Sequence, residues 1–235
     1  MDKPIVGFEN VTLGYEGQPV ITGLQFAVNR GDYLCVLGQN GSGKSTMMKA
    51  LLGFLSPMSG KIVKNIRKNA IGYLPQQQPS QADFPASVWE VVLSGCQGRH
   101  RFSPFYSAKD RALAEKNIAL MNITHLSAHS FRELSGGQKQ RVLLARTLCA
   151  AEDMILLDEP AAGLDPEVTK ELYDLVERIN REEGMTVVMI SHDLSYAMGS
   201  ATHILHLDHR MLYFGSADAY DRAAVMEGRR DDKCN

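Results

Sequence analysis

Residues 33 to 55, YLCVLGQNGSGKSTMMKALLGFL, combine an apolar run, a glycine-rich loop and a helical pattern. An apolar run over 33–38 ends in glycine, as a buried central strand does. The run enters GQNGSGKS, residues 38 to 45, and the helical pattern that follows is expected to stop near Ser56 and Pro57. A glycine-rich loop between a buried strand and a helix N-terminus favours a phosphate group, because backbone amides and the helix dipole both attract an anion.

The loop fits the phosphate-binding pattern G-x-x-x-x-G-K-S in the strand-to-helix position that this pattern requires. Lys44 is expected to reach the β- and γ-phosphates of a nucleotide, and the Ser45 hydroxyl to ligate Mg²⁺. A glycine-rich turn with a chance lysine is the alternative, which the flanking elements disfavour. The predicted nucleotide-binding residues of this loop are Gly38, Gln39, Asn40, Gly41, Ser42, Gly43, Lys44, Ser45 and Thr46.

MILLDEP, residues 154 to 160, is a second apolar strand, and it delivers two adjacent carboxylates. Successive side chains of a strand point to opposite sides. Asp158 is therefore expected to face the Mg²⁺ shell, while Glu159 orients or deprotonates an attacking water. An Asp-Glu pair at a strand end is by itself more often a solvated turn, but together with the phosphate loop it indicates a P-loop NTPase.

The remaining patterns predict an α/β fold in a single domain over residues 1–235. Alternating apolar residues over 5–13 and 24–28 indicate strands of a half-buried sheet, and residues 185–191 form another buried strand. Asp165 as N-cap, Pro166 and a stop at Gly184 frame a helix between two buried strands, which is typical of a parallel βαβ unit. Residues 84–150 contain only helical patterns. We predict a helical subdomain there, inserted into a core made of 1–83 and 151–235.

Composition excludes several functional classes. The formal net charge of -2 gives no basic field that would attract nucleic acid. Four scattered cysteines without a CxxC pair indicate reduced thiols in a cytosolic protein. The first residues lack the features of a signal peptide, and no apolar run approaches the ~20 residues that a membrane helix needs. Any membrane role is expected to come through a partner.

A second phosphate-loop-like stretch, LSGGQKQR, occupies residues 134 to 141. With the two motifs above, it makes the sequence resemble the ATP-binding cassette (ABC) family of ATPases from about residue 5 to 220. LSGGQ is that family's signature, and AAGLD, residues 161 to 165, matches the loop after the catalytic carboxylate. The resemblance implies a P-loop core with a mixed sheet, an antiparallel N-terminal β part and a helical subdomain.

The resemblance also implies roles for single residues. Tyr15 lies where an aromatic side chain stacks on adenine, and Gln76 matches the glutamine that meets Mg²⁺ and the attacking water. His192 matches the histidine that contacts the γ-phosphate, as a catalytic residue beside Glu159 and Gln76. The expected Mg²⁺ ligands are Ser45, Gln76 and Asp158.

In the family that this chain resembles, two such domains pack head to tail. This arrangement would explain why one chain has both the loop at 38–45 and the signature loop at 134–141. Each signature loop closes on the ATP that the other subunit's loop holds. The residues that would act in this way, across an ATP-dependent homodimer, are Ser135, Gly136, Gly137 and Gln138.

The same resemblance implies a subunit on the inner face of the cell membrane that drives integral permease subunits, served indirectly by an extracellular substrate-binding protein. FPASVWEVVLSG, EPAAGLD and YFGSADAY look like the ATPases of zinc and manganese uptake systems. Importers of iron-siderophores, haem or cobalamin are the alternative, followed by ABC proteins that do not transport. A P-loop kinase or nucleotide switch is a further alternative, but it has no use for LSGGQ.

Two surface features have competing interpretations. The aromatic residues of the helical segment either line the groove that receives the permease or pack the segment's own core; they are Phe84, Trp89, Phe102, Phe105 and Tyr106. Three histidines, His203, His206 and His209, suggest a metal site only superficially. In a strand the first two point to opposite faces, and we predict no metal site there.

Overall fold

The computed structural model describes residues 3–67, 70–76, 85–99, 105–191 and 198–221. These residues divide into two compact units. The first unit consists of the described residues up to 66 and those from 186 onward. The second unit consists of the described residues from 67 to 185. The proposed division into a core and an inserted helical subdomain, at 84–150, stays a prediction.

Three strands form an antiparallel sheet in the first unit: β1 (Val6–Tyr15), β2 (Gln18–Val28) and β4 (Ser59–Lys64). Their order is β2-β1-β4. Phe8 and Phe26, which are register partners, stack with ring centroids 4.5 Å apart on the buried face. The two alternating patterns in the sequence predicted β1 and β2, while no pattern pointed to β4.

A second sheet in this unit carries the phosphate loop. Its strands are β3 (Tyr33–Leu37), β7 (Thr186–Ile190), β8 (His203–Leu207) and β9 (Met211–Ser216). β3 lies between β7 and β8 and is parallel to both, while β9 pairs antiparallel with β8. Every residue of β3 is buried, so the loop after it starts from a fixed point.

Helix α1 (Lys44–Leu52) follows the phosphate loop. It ends earlier than the predicted stop near Pro57, because Gly53 adopts a left-handed conformation with φ 86° and caps the helix. The Gly53 amide donates to a carbonyl of the last turn. A left-handed glycine ends a helix without needing the proline downstream.

Within its described residues, the second unit combines two parallel strands with four α-helices. The strands are β5 (Ile71–Leu74) and β6 (Met154–Asp158). The helices are α2 (Val88–Ser94), α3 (Ala108–Leu120), α4 (Gly136–Ala150) and α5 (Pro166–Glu183). α5 has the predicted Asp165 N-cap, proline in its first turn and left-handed Gly184.

The elements confirm the predicted fold class. An antiparallel N-terminal sheet, a mixed sheet and a helical stretch occur where the sequence patterns placed them. Within the part of the chain that the structure describes, no helix is long and apolar enough to cross a membrane.

Candidate active site

The phosphate loop of the first unit depends on close backbone packing. A Cβ atom added at Gly38, whose φ is 151°, would lie 2.4 Å from the carbonyl oxygen of Leu207 and 2.5 Å from Ser42 Oγ. No side chain larger than hydrogen fits there. Gly43 has φ 101° and is the N-cap of α1, and because glycine has no side chain the helix has no side-chain cap. A helix N-terminus without a side-chain cap can present its first backbone amides to an external acceptor such as a phosphate.

Lys44 is held inside the loop. Its side chain is 7% exposed, and its Nζ donates to the carbonyl oxygens of Gly38 at 2.8 Å and Gln39 at 2.9 Å. The ammonium group thus already lies at the loop that would surround a phosphate. Ser45, on the next position of α1, is exposed. Ser42 Oγ is buried without a hydrogen-bond partner among the described residues.

Tyr15 ends β1 in the same unit, with 42% of its side chain exposed. Lys49 Nζ lies 3.4 Å from the Tyr15 hydroxyl and 5.5 Å from the ring centroid. A cation this close to an aromatic ring is attracted to its π face. No sequence pattern points to this lysine, which is five residues beyond Lys44 on α1.

In the second unit, the predicted catalytic carboxylate and the predicted Mg²⁺-binding glutamine are in contact. Gln76 Nε2 donates to Glu159 Oε2 at 2.8 Å, across 83 residues of sequence. The sequence predicted both residues but not their hydrogen bond. Glu159 has φ 49°, a left-handed conformation that residues other than glycine rarely adopt. Strained backbone of this kind is concentrated at functional sites.

Asp158 is the buried last residue of β6. The Tyr73 hydroxyl on β5 lies 3.5 Å from Asp158 Oδ2. Burial, the charge of Asp158 and this hydrogen bond together raise the pKa of Tyr73 to about 12. The sequence analysis missed Tyr73, whose only signal was its place on the strand before Gln76. The carboxylate of Asp158 and the amide of Gln76 both offer oxygen atoms, which is the ligand type that Mg²⁺ prefers.

The signature motif forms the N-terminus of α4. Ser135 Oγ accepts from the Gln138 amide at 3.3 Å, and Gln138 Oε1 accepts from the Ser135 amide at 3.0 Å. This reciprocal pair is a capping box. It uses the amides of Ser135 and Gln138, so the donors that it does not use at the helix start are those of Gly136 and Gly137.

Other predicted residues lie elsewhere. His192, Phe84 and Phe102 lie outside the described residues. Trp89 is half-buried and Phe105 is 81% exposed, which leaves both interpretations of the aromatic residues open.

The three histidines make separate contacts, with Thr202, Tyr220 and the Val20 carbonyl oxygen. His206 is buried, with Nδ1 at 2.9 Å from the Tyr220 hydroxyl. Among the described residues, no group of three or more His, Cys, Asp or Glu side chains could hold a metal ion.

Comparison with known proteins places these motifs in one family. The model of the ABC transporter family matches residues 21–162. The zinc uptake system ATP-binding protein ZurA of Listeria monocytogenes is 33% identical over 99% of this chain and 96% of its own length. The manganese transport system ATP-binding protein MntB of Bacillus subtilis is 34% identical over 91% of this chain and 87% of its own.

A solved structure supports the same assignment. CbiO1 from Clostridium perfringens, part of the ABC transporter complex CbiONQ, superposes with a TM-score of 0.82 at 28% identity, over 92% of this chain and 90% of that one. The match of the family model alone covers more than half of the 235 residues. The chain belongs to the ABC transporter family.

Proposed function

We propose that this protein hydrolyses ATP and that the hydrolysis drives the import of a metal ion, zinc or manganese, through membrane permease subunits. ABC transporter ATP-binding subunits are ATPases in general. The phosphate loop with its enclosed Lys44 supports ATP binding, and the 33% and 34% identity to zinc and manganese proteins supports the cargo.

The phosphate loop would bind ATP through the uncapped amides of α1. Lys44 would exchange the carbonyl oxygens of Gly38 and Gln39 for phosphate oxygens, a small movement because Nζ already lies inside the loop. Tyr15 would stack on the adenine ring. Bound Mg²⁺ would neutralise part of the phosphate charge, with Ser45, Asp158 and Gln76 as its protein ligands.

Glu159 is the proposed general base. Its carboxylate would accept a proton from the attacking water, or orient that water for attack on the γ-phosphate. Gln76 donates to the same carboxylate, so it would fix the orientation of Glu159 before water binds. His192 is proposed as the γ-phosphate contact from its sequence match.

The signature motif would complete the site of a second copy. The amides of Gly136 and Gly137 would donate to the γ-phosphate that the partner's phosphate loop holds. ATP binding would close the homodimer and hydrolysis would reopen it. The protein would act in the cytoplasm, attached to the permease, with an extracellular binding protein as an indirect partner.

The docking site for the permease is proposed at the aromatic residues of the helical segment. Trp89→Ala tests this. Loss of membrane association with unchanged ATP binding supports a docking role, while loss of ATP binding and thermal stability indicates that Trp89 packs the segment's own core.

Metal content of cells tests the function. Zinc, manganese and iron are measured in metal-poor medium, in cells with the native protein and in cells with Glu159→Gln. A selective fall in zinc or manganese is expected. A fall in iron alone redirects the proposal to chelated iron, and no change in any metal contradicts metal import.

A biochemical control separates transport ATPases from kinases. Purified protein should release phosphate from ATP without any acceptor molecule, and Glu159→Gln should bind ATP without releasing phosphate. Phosphate transfer that requires an acceptor would instead indicate a kinase.

A further inference from the structure

The two ends of the signature helix α4 are held in different ways. Near its C-terminus, β5 and α2 approach its backbone directly. A Cβ added at Gly72 would lie 2.3 Å from the Thr147 carbonyl oxygen, and one added at Gly95 would lie 2.2 Å from that of Arg146. Backbone atoms cannot rotate away from such a contact, so this end of the helix has a fixed position.

The N-terminal end, which carries the signature motif, contacts side chains of the segment that runs from Leu164 into α5. A Cβ added at Gly137 would lie 2.6 Å from Val168 Cγ1, and one added at Gly136 would lie 3.5 Å from Leu164 Cδ2. One turn beyond Val168, Glu171 forms an ion pair with Arg141 of α4. We call these contacts of Leu164, Val168 and Glu171 with α4 the signature seam.

The absence of a side chain at Gly137 leaves the space that Val168 of the seam occupies. Alanine is a better helix former than glycine, so propensity alone favours alanine at this helical position. Val168 is β-branched and prefers one χ1 rotamer in a helix, so it does not turn aside for an added methyl group. Its amide is also fixed, since it donates to Asp165 Oδ1 at 3.1 Å. Close packing against Val168 therefore requires glycine at 137.

The seam also continues to the catalytic carboxylate. The Ala162 amide donates to the Glu159 carbonyl oxygen at 3.1 Å, and the Leu164 amide donates to that of Ala161 at 3.1 Å. Two overlapping turns thus join Glu159 to Leu164, the first residue of the seam, five residues further along the chain. A displacement at Glu159 has a short, hydrogen-bonded route to the signature motif of the same subunit.

We propose that Val168 is a positioning residue for the signature motif. Its Cγ1 sets how far the amides of Gly136 and Gly137 project toward the partner's ATP. This role rests on the proposed ATP-dependent dimer, in which those amides act. The segment that follows Glu159 belongs to one ATP site. Through Val168 it would determine the position of the Gly136 and Gly137 amides, which donate to the ATP of the other site.

The test measures ATP-dependent dimerisation of Glu159→Gln protein by light scattering, with additional substitutions at the seam. Gly137→Ala should raise the ATP concentration for half-maximal dimerisation about tenfold or more, because the new methyl group displaces the motif. Adding Val168→Ala to Gly137→Ala should recover most of that loss, because it removes the atom that the methyl group meets.

Two single substitutions at 168 provide a matched pair. Val168→Ile adds a methylene group and should weaken dimerisation without any change in the signature motif. Val168→Thr keeps the branched shape and should leave dimerisation near the Glu159→Gln level. Binding of a fluorescent ATP analogue to the monomer should be unchanged in every variant, which shows that each one folds.

Three outcomes overturn the proposal. A Gly137→Ala, Val168→Ala protein as defective as Gly137→Ala alone shows that the glycine serves phosphate approach and not the seam. Equal dimerisation of the Val168→Ile and Val168→Thr proteins shows that the shape at 168 is irrelevant. Failure of Glu159→Gln protein itself to dimerise refutes the proposed dimer first, and the positioning role with it.

Discussion

The left-handed backbone of Glu159 predicts that this proposed general base reduces the stability of the fold. Its φ of 49° costs a non-glycine residue about 1–2 kcal/mol relative to glycine. Glycine loses about 0.4–1 kcal/mol of this advantage through the greater entropy of its unfolded chain. Glu159→Gly should therefore be more stable than Glu159→Ala by about 1 kcal/mol, which corresponds to roughly 2–4 °C in melting temperature for a chain of this size.

The comparison isolates the backbone because both variants lose the carboxylate and its hydrogen bond with Gln76. Glu159→Asn should melt between them, since asparagine tolerates the left-handed region better than alanine. Thermal melts followed by circular dichroism give the ranking, and phosphate release should be absent from all three. An alanine variant that melts at or above the glycine variant would refute the strain at this position.

Three further predictions concern the surrounding structure. Gly95→Ala should lower the melting temperature by several degrees, because the new Cβ would lie 2.2 Å from a backbone oxygen of α4. Gly98→Ala is the control and should leave the melting temperature unchanged, because no atom lies within 4 Å of its new Cβ. Tyr73→Phe should raise the Mg²⁺ concentration for half-maximal ATPase activity a few-fold, because the hydroxyl orients Asp158; an unchanged Mg²⁺ dependence contradicts this. Burial raises the pKa of the Cys35 thiol from 9.0 to about 12, so the native state favours the protonated form and should lose stability as pH rises from about 9 towards 12. Urea titrations at stepped pH should show a shallower loss for Cys35→Ala, and equal slopes would contradict the assignment.

Local signals explain the parts of the fold that the sequence predicted well. Helix α5 begins and ends as predicted, because Asp165, Pro166 and Gly184 determine its ends through their own backbone chemistry. β3 and β6 were predicted from continuous apolar runs, and both are fully buried. Helix caps and apolar runs depend on residues that are neighbours in sequence, so they can be recognised in a single sequence.

Tertiary contacts account for what the sequence could not predict. The hydrogen bond between Gln76 and Glu159 joins residues that are 83 positions apart. No local sequence pattern predicts that these two side chains meet. The approach of Val168 to Gly137 depends on how two helices pack. The end of α1 was misplaced because two stop signals, Gly53 and Pro57, compete, and the left-handed glycine acts first.

The most direct test of the account is whether two inactive variants restore each other's ATPase activity. Lys44→Ala removes the phosphate-loop lysine, and Gly136→Asp puts a negative charge where the partner's phosphate should lie, at a helix position that tolerates aspartate. Because half of the dimers in an equal mixture are mixed, and each mixed dimer has one site without either change, activity should return to at most about a quarter of the wild-type level. A mixture as inactive as its two components would contradict a site shared between two copies.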